Sequence, residues 1–352
     1  MSTTPYTEFM NRNFNESRPI TAQWEITFKC NHLCDFCYNS PTGQKEMTTA
    51  EILSGLDKIA EMGILYLILT GGEPMVRPDF WKILEGARDR GFATRIYTNG
   101  FLIDDEKAAR LKALNPFELE ISIHGARPET HDRLTGIPGS LARIVTALEF
   151  LQKHRIKVNL KCPITRWNQD ELRDIRAIGD RFGMAVVFDP VITPRDDGDR
   201  SPLHLQATKE FLVRYFSPEF EELRNGRKPV KVDHEKVKSN CGTGRTSFTI
   251  DPYGNIYPCV QWRRKVANIK EIGSLTEIWR TSDVLHEVRR IAEEIPRTTL
   301  MQKESGAFCT FCPGVAELQT GNPFQMYPQA EHVAEAKLEA FQIAQTGAPC
   351  TH

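Results

Sequence analysis

The sequence predicts an α/β fold built on a parallel sheet, and three features carry that expectation. Six strands alternating with five helices precede residue 200, the run Ile64–Leu69 is apolar throughout, and glycine-bearing polar turns recur where strands end. Strands alternating with helices of about 10 to 15 residues imply right-handed crossovers and parallel pairing. A continuous apolar run suits a parallel strand buried on both faces. Periodicity alone leaves an open doubly wound sheet and a partial barrel as alternatives. In either one, ligands collect at the carboxyl ends of the strands.

In chain order, residues 1–21 form a polar lead segment without the apolar stretch of a signal peptide. A strand at Trp24–Phe28 runs directly into Cys30, Cys34 and Cys37. Thr48–Met62 is an amphipathic helix with Ile52, Leu56, Ile59 and Ala60 on one face, and Thr48 and Thr49 stand ahead of Glu51 as N-cap residues. After the strand at 64–69, helix Phe80–Arg90 leads to strand Ala93–Tyr97, helix Glu106–Leu114 to strand Glu118–Ile123, helix Leu141–Lys153 to strand Lys157–Cys162, and helix Glu171–Phe182 to strand Ala185–Asp189. Arg195–Pro202 reads as a polar turn-forming stretch, either a loop on the open side of the sheet or a solvated linker. A helix at Thr208–Phe216 bridges toward a second domain starting near Val237. There Cys241 precedes two short β runs joined at Pro252-Tyr253-Gly254, a hairpin that ends in Cys259. A helical segment over 278–295 then leads to Cys309 and Cys312.

With 352 residues, 40% of them hydrophobic, the chain exceeds what one core usually fills. Its net charge of −1 offers no basic excess, which argues against nucleic acid as a partner. No run is long enough to span a bilayer, so no membrane is expected and the protein reads as cytoplasmic. Nine cysteines in such a chain, seven of them in two groups, point to metal ligation and not to disulfides.

Three soft sulfur ligands within eight residues suit zinc or iron–sulfur chemistry. A cubane gripped by three thiolates has one iron left for a chelating small molecule. Zinc would instead close its tetrahedron, and His32 lies inside the loop as a fourth ligand for it. Cys241, Cys259, Cys309 and Cys312 make a set of four, which fits a structural zinc or a fully ligated [4Fe–4S] cluster equally. The strands end in Thr70-Gly71-Gly72-Glu73-Pro74, Thr98-Asn99-Gly100 and Ser122-Ile123-His124-Gly125. Glycines there let backbone approach a ligand, and Glu73 can accept hydrogen bonds from an ammonium group.

The spacing Cys30-x3-Cys34-x2-Cys37, with Phe36 ahead of the last cysteine, resembles the signature of the radical S-adenosylmethionine (SAM) enzymes. The resemblance implies a three-cysteine [4Fe–4S] cluster whose open iron chelates SAM and yields a 5′-deoxyadenosyl radical. Gly71-Gly72-Glu73-Pro74 resembles the family motif whose backbone and acid hold the methionine amino group, and Ser122 resembles a fourth-strand residue on the ribose or carboxylate. Phe36, Asn99, Arg143 and Asn168 are further cofactor contacts on this likeness. The pattern Cys241…Gly254-x4-Cys259…Cys309-x2-Cys312 resembles the twitch domain, a shortened SPASM domain with one auxiliary [4Fe–4S] cluster. Val315–Gly321 lacks the further cysteines of the full pattern, and Cys350 is left out of the ligand set. The implied architecture is a partial (β/α)6 TIM-like barrel over 22–200, a bridging helix and linker over 201–236, a twitch β-hairpin-plus-helix domain over 237–325, and a C-terminal helix and tail over 326–352.

By the same resemblance the chain abstracts a substrate hydrogen atom, and similarity in Leu160–Asn168 and Asp189–Pro202 favours maturation of a ribosomally made peptide by crosslinking, oxidation or epimerisation. A small-molecule dehydrogenase or epimerase is the alternative within the family, and a zinc-stabilised binding protein without catalysis is the alternative outside it. Implied partners are an electron donor such as flavodoxin or ferredoxin and, because some twenty residues precede the first strand, a peptide substrate met either through a separate leader-peptide-binding protein or by direct binding. Two side chains are candidates for catalysis. Cys162 ends the fifth strand, as a hydrogen-atom donor or a small buried hydrophobe; His124 either serves as an acid or base or packs against its turn.

Overall fold

The structure, a computed structural model, describes residues 4–346; Cys350 lies outside them. Helix α1 (Pro5–Asn15) leads into β1 (Thr21–Thr27), and the barrel follows as α2 (Thr49–Glu61), β2 (Tyr66–Gly71), α3 (Phe80–Asp89), β3 (Ala93–Thr98), α4 (Asp105–Leu114), β4 (Glu118–Ser122), α5 (Pro128–Thr135), α6 (Ser140–Lys153), β5 (Val158–Pro163), α7 (Leu172–Phe182) and β6 (Ala185–Asp189). The six strands pair in chain order and in parallel, as a partial TIM-like barrel requires. Several helices form where the sequence places a cap and an apolar stripe. At α2, Thr48 and Glu51 close a reciprocal capping box, and Ile52, Leu56 and Ile59 are buried beneath.

Helix α8 (Lys209–Phe216) starts at an N-cap made by Thr208. The C-terminal part contributes β7 (Ser247–Ile250), β8 (Asn255–Tyr257), β9 (Ala267–Asn268), α9 (Leu275–Thr281), α10 (Asp283–Thr298), α11 (Pro313–Thr320) and α12 (Pro328–Thr346). Its hairpin does not stand apart: β7 pairs in parallel with β1, giving one nine-stranded sheet ordered β6-β5-β4-β3-β2-β1-β7-β8-β9. The pairing covers an edge of β1 that would otherwise show free backbone groups. The helical segment expected over 278–295 is two helices, because Ser282 is extended and caps Leu285 of the second. Helices α1, α5 and α11 have no counterpart among the sequence-based expectations.

Burial on both faces holds for β2, where Leu67 to Thr70 are all buried. Strands β3 to β5 instead alternate. Trp24, Leu160 and Val186 face the helices: an added methyl group on Gly55 of α2 would strike Trp24, and one on Gly179 of α7 would strike Val186 and touch Leu160. Arg95, Tyr97, Glu120, Ser122, Asn159 and Lys161 occupy the alternate positions and line the inner face of the barrel. Among the described residues no single helix is long and apolar enough to cross a membrane.

Candidate active site

The loop bearing Cys30, Cys34 and Cys37 leaves the end of β1 and is laid across the end of α5, where the Leu33 amide donates to the Thr135 carbonyl at 2.9 Å and the Asp35 amide to that of Leu134 at 3.3 Å. Cys30 is exposed, the other two partly so. Burial, then the neighbouring Cys37 and Cys30 sulfurs, push the Cys34 thiol far above its ordinary range. Burial also raises Cys30 and Cys37. Sulfurs that repel one another as thiolates in a half-buried loop fit a cationic cluster that neutralises them. Among the described residues no three Cys, His, Asp or Glu side chains gather closely enough for one metal ion. His32 turns onto Phe101, ring centroids 5.4 Å apart, and its ring nitrogens have no hydrogen-bond partner.

Gly71 and Gly72 explain how β2 closes on this loop. Gly71 has φ +141°, and a Cβ there would lie 2.0 Å from the Thr27 carbonyl oxygen; one on Gly72 would lie 2.3 Å from that of Lys29. The amides of Gly72 and Glu73 instead donate to these two oxygens at 2.7 and 2.9 Å. The Glu73 carboxyl is fully buried and turned inward. It accepts from Thr98 Oγ1 at 2.9 Å, the Asn99 amide at 2.7 Å and the Met75 amide at 3.0 Å. Burial pushes it up to about 7 against those bonds. It therefore fastens the β2 turn to the β3 turn. Asn99 does reach the cysteine loop, donating to Asn31 Oδ1 at 2.8 Å and lying 3.8 Å from Cys30 Sγ.

Phe36 packs edge-on against His124, centroids 4.7 Å apart, and His124 lies beside His131. Burial drives His124 well below its usual range. Ser122 is half-buried on the inner face. Asn168 caps no helix; wholly buried, it accepts from the Thr165 amide at 2.7 Å and donates to the carbonyls of His124 and Pro163 at 2.9 Å, holding two turns together. Arg143 Nε donates to the Phe101 carbonyl at 2.9 Å. Cys162 is 1% exposed and in phase with Leu160 on the helix side of β5. Strand alternation points it away from the inner face.

The inner face holds groups the motif reading missed. Lys161 Nζ lies 3.4 Å from Glu120 Oε2, and Tyr97 is raised by burial and then by Glu120. Polar residues at every second strand position were the signal for them. Nor is Arg195–Pro202 only a solvated linker: Arg195 Nη1 donates to the Cys37 carbonyl at 3.1 Å and the Asp196 amide to that of Tyr38 at 2.8 Å. Behind this contact the fully buried Glu25 takes a bidentate pair from Arg263 at 2.9 and 3.1 Å and a bond from Tyr38 Oη at 3.1 Å. Arg263 also lies 3.3 Å from Asp196. No spacing in the sequence announces that convergence.

The second sulfur set surrounds the end of the hairpin. Cys259, Cys309 and Cys312 pack against an apolar cluster that includes Trp262, Phe311 and Tyr327. Asn240 Nδ2 donates to the Phe311 carbonyl at 2.9 Å, tying the Cys241 segment to the Cys309–Cys312 turn. Burial, then Cys259 and Cys241, raise Cys312 to about 12, so this set too fits a cationic cluster.

Comparison with known proteins agrees with this geometry. The Radical SAM superfamily profile matches residues 24–177, and an iron–sulfur cluster-binding domain profile, SPASM, matches 241–313. The chain is 30% identical over 286 residues to mycofactocin maturase MftC of Mycobacterium ulcerans (strain Agy99), covering 77% of each. It is 26% identical to the AdoMet-dependent heme synthase of Methanosarcina barkeri (strain Fusaro / DSM 804), covering 88% of this chain and 95% of that one. Among solved structures, Streptococcus suis SuiB bound to precursor peptide SuiA superposes with a TM-score of 0.71 at 14% identity, covering 94% of this chain and 82% of that one.

Proposed function

From the premise that this chain belongs to the radical SAM superfamily and carries a SPASM-type iron–sulfur domain, we propose that it matures a peptide by removing a hydrogen atom from one of its residues. The observation that carries the reading is the junction of the three-cysteine loop with the Gly71-Gly72 turn at the carboxyl ends of β1 and β2, over a polar inner face. Kinship to a maturase across 77% of its length supports a peptide substrate. When bound, the three-cysteine [4Fe–4S] cluster with SAM would supply the radical chemistry that removes a hydrogen atom, and an auxiliary cluster would supply a second redox centre.

The chain's own residues do the positioning. Cys30, Cys34 and Cys37 hold the first cluster; Cys241, Cys259, Cys309 and Cys312 hold the second. The Gly71-Gly72 backbone closes beside the first, while Glu73 and Asn99 fix the turns that border SAM. Phe36 and Ser122 line its far side, and Arg143 and Asn168 hold the backbone behind. Tyr97, Glu120 and Lys161 offer a hydroxyl, a carboxylate and an ammonium to the substrate from the inner face. A flavodoxin or ferredoxin supplies electrons, and a separate protein presents the leader peptide.

Likeness to a heme synthase over 95% of that protein supports a second reading, a tetrapyrrole substrate. The deciding experiment incubates anaerobically purified protein with SAM, dithionite and either a precursor peptide encoded beside its gene or an iron porphyrin, and follows 5′-deoxyadenosine and product mass. A mass change in the peptide alone is expected; turnover of the porphyrin alone would replace the peptide reading. Cys30→Ala is expected to abolish 5′-deoxyadenosine formation and leave about four of roughly eight irons, whereas Cys312→Ala should lose the other four and retain SAM cleavage. Loss of cleavage in both would reject separate roles for the two sulfur sets.

A further inference from the structure

Helix α12 lies beyond residue 313, where the SPASM profile ends, yet it packs against the second sulfur set. Cys309 Sγ lies 3.8 Å from the Ala330 carbonyl of this helix. About two turns further on, Lys337 Nζ donates to Thr310 Oγ1 at 3.2 Å, inside the Cys309–Cys312 turn. Cys309, Thr310 and Lys337 line one cavity of about 260 Å³. The helix is held there from the α8 side, where Lys209 donates to Glu335 at 3.2 Å and His332 Nε2 lies 2.9 Å from the Ala207 carbonyl. The Lys337 ammonium also sits 5.3 Å from the centre of the Phe216 ring, and among the described residues its one hydrogen bond is to Thr310.

The charges around these sulfurs are unevenly committed. Burial pushes the Cys309 thiol up to about 12, a rise that Lys337 opposes and Glu331 reinforces. Glu331 is paired with Lys303, and Arg263, which reaches Cys259, is paired with Glu25 and Asp196. Lys337 has no such partner in contact; burial works against its charge, and Cys309 and then Asp189 are the anions that favour it. Net charge and hydrogen bonds around the sulfurs set the potential of an iron–sulfur cluster. An electron entering a centre that four thiolates already make negative is therefore favoured by a cation beside one of them. We propose that Lys337 sets the reduction potential of the second cluster, its ammonium favouring the reduced form. It is a positioning residue, acting through the Cys309–Cys312 turn and not on the substrate. The role depends on Cys309 holding the second cluster and not on whether the substrate is a peptide.

Redox titration of the full, cluster-loaded chain with dithionite, followed by low-temperature electron paramagnetic resonance, tests it. The signal that survives in Cys30→Ala identifies the second cluster, and reduction adds one electron and no proton to it. Lys337→Gln is expected to disfavour reduction about tenfold, a fall of about 59 mV for one electron, while Lys337→Arg stays close to wild type. Glu331→Gln removes the opposing charge and is expected to shift the equilibrium the other way. Structural damage would move both neutral variants in the same direction. An unchanged potential in Lys337→Gln, or an equal fall in Lys337→Arg, would overturn the assignment. Should Lys337→Gln fail to fold, Glu331→Gln decides, and no shift in it would overturn the assignment as well. A full complement of roughly eight irons in Cys309→Ala would instead remove the premise that Cys309 is a ligand.

Discussion

Glu73 is a motif residue whose carboxyl is wholly buried and hydrogen-bonded within the protein. Its carboxyl, held near 7 in the fold against an ordinary 4.5, binds its proton more tightly folded than unfolded. That preference is fully present below about pH 4.5 and is lost as pH rises to about 7, at roughly 1.4 kcal/mol per unit, or up to about 3 kcal/mol. Melting curves of wild type and Glu73→Gln should therefore show the wild type's relative stability declining from pH 5 to pH 7.5; a constant gap would place the titration elsewhere. Cys162 makes a different case, a residue at a strand end whose side chain is buried on the helix side of β5. Cys162→Ala should cost about 1 to 2 kcal/mol from a small cavity and leave 5′-deoxyadenosine formation within twofold. Loss of product with the fold intact would return it to the site.

Segments far apart in the chain are locked together by single pairs. Glu25 of β1 and Arg263, which follows the hairpin of β7 and β8, meet in a region where Glu25 has no access to solvent. Burial raises its carboxyl, and Arg263 opposes the shift. Removing one partner strands a buried charge at about 3 to 5 kcal/mol, whereas replacing both with uncharged groups can be nearly neutral. Arg263→Met should thus destabilise more than Glu25→Gln/Arg263→Met, a difference that thermal unfolding of the single and double variants measures. Additive losses would mean that the pair is not coupled. At α6 the same economy is local: Asp132 accepts from Ser140 Oγ and the Leu141 amide at 2.9 Å, supplying the cap that Gly139 lacks.

For the whole molecule, continuity of the sheet from β6 to β9 makes the C-terminal part structurally necessary to the barrel. Residues 1–236 expressed alone should aggregate in light scattering, because β1 would present an uncovered edge beside a buried core; a soluble, monodisperse fragment would refute this. The sequence by itself determined the strand-helix alternation, the helix caps and the two cysteine groups, since each rests on local spacing that the backbone reads directly. Thr48 and Glu51 cap α2 where their order announces it. Only the tertiary structure decided that β7 joins β1, that Glu73 and Asn168 bind protein, that Cys162 faces helices, and that Arg263 lands on Glu25 across 238 positions. These depend on which distant surfaces meet and on where burial leaves a polar group in need of a partner, neither of which is written in the neighbouring residues.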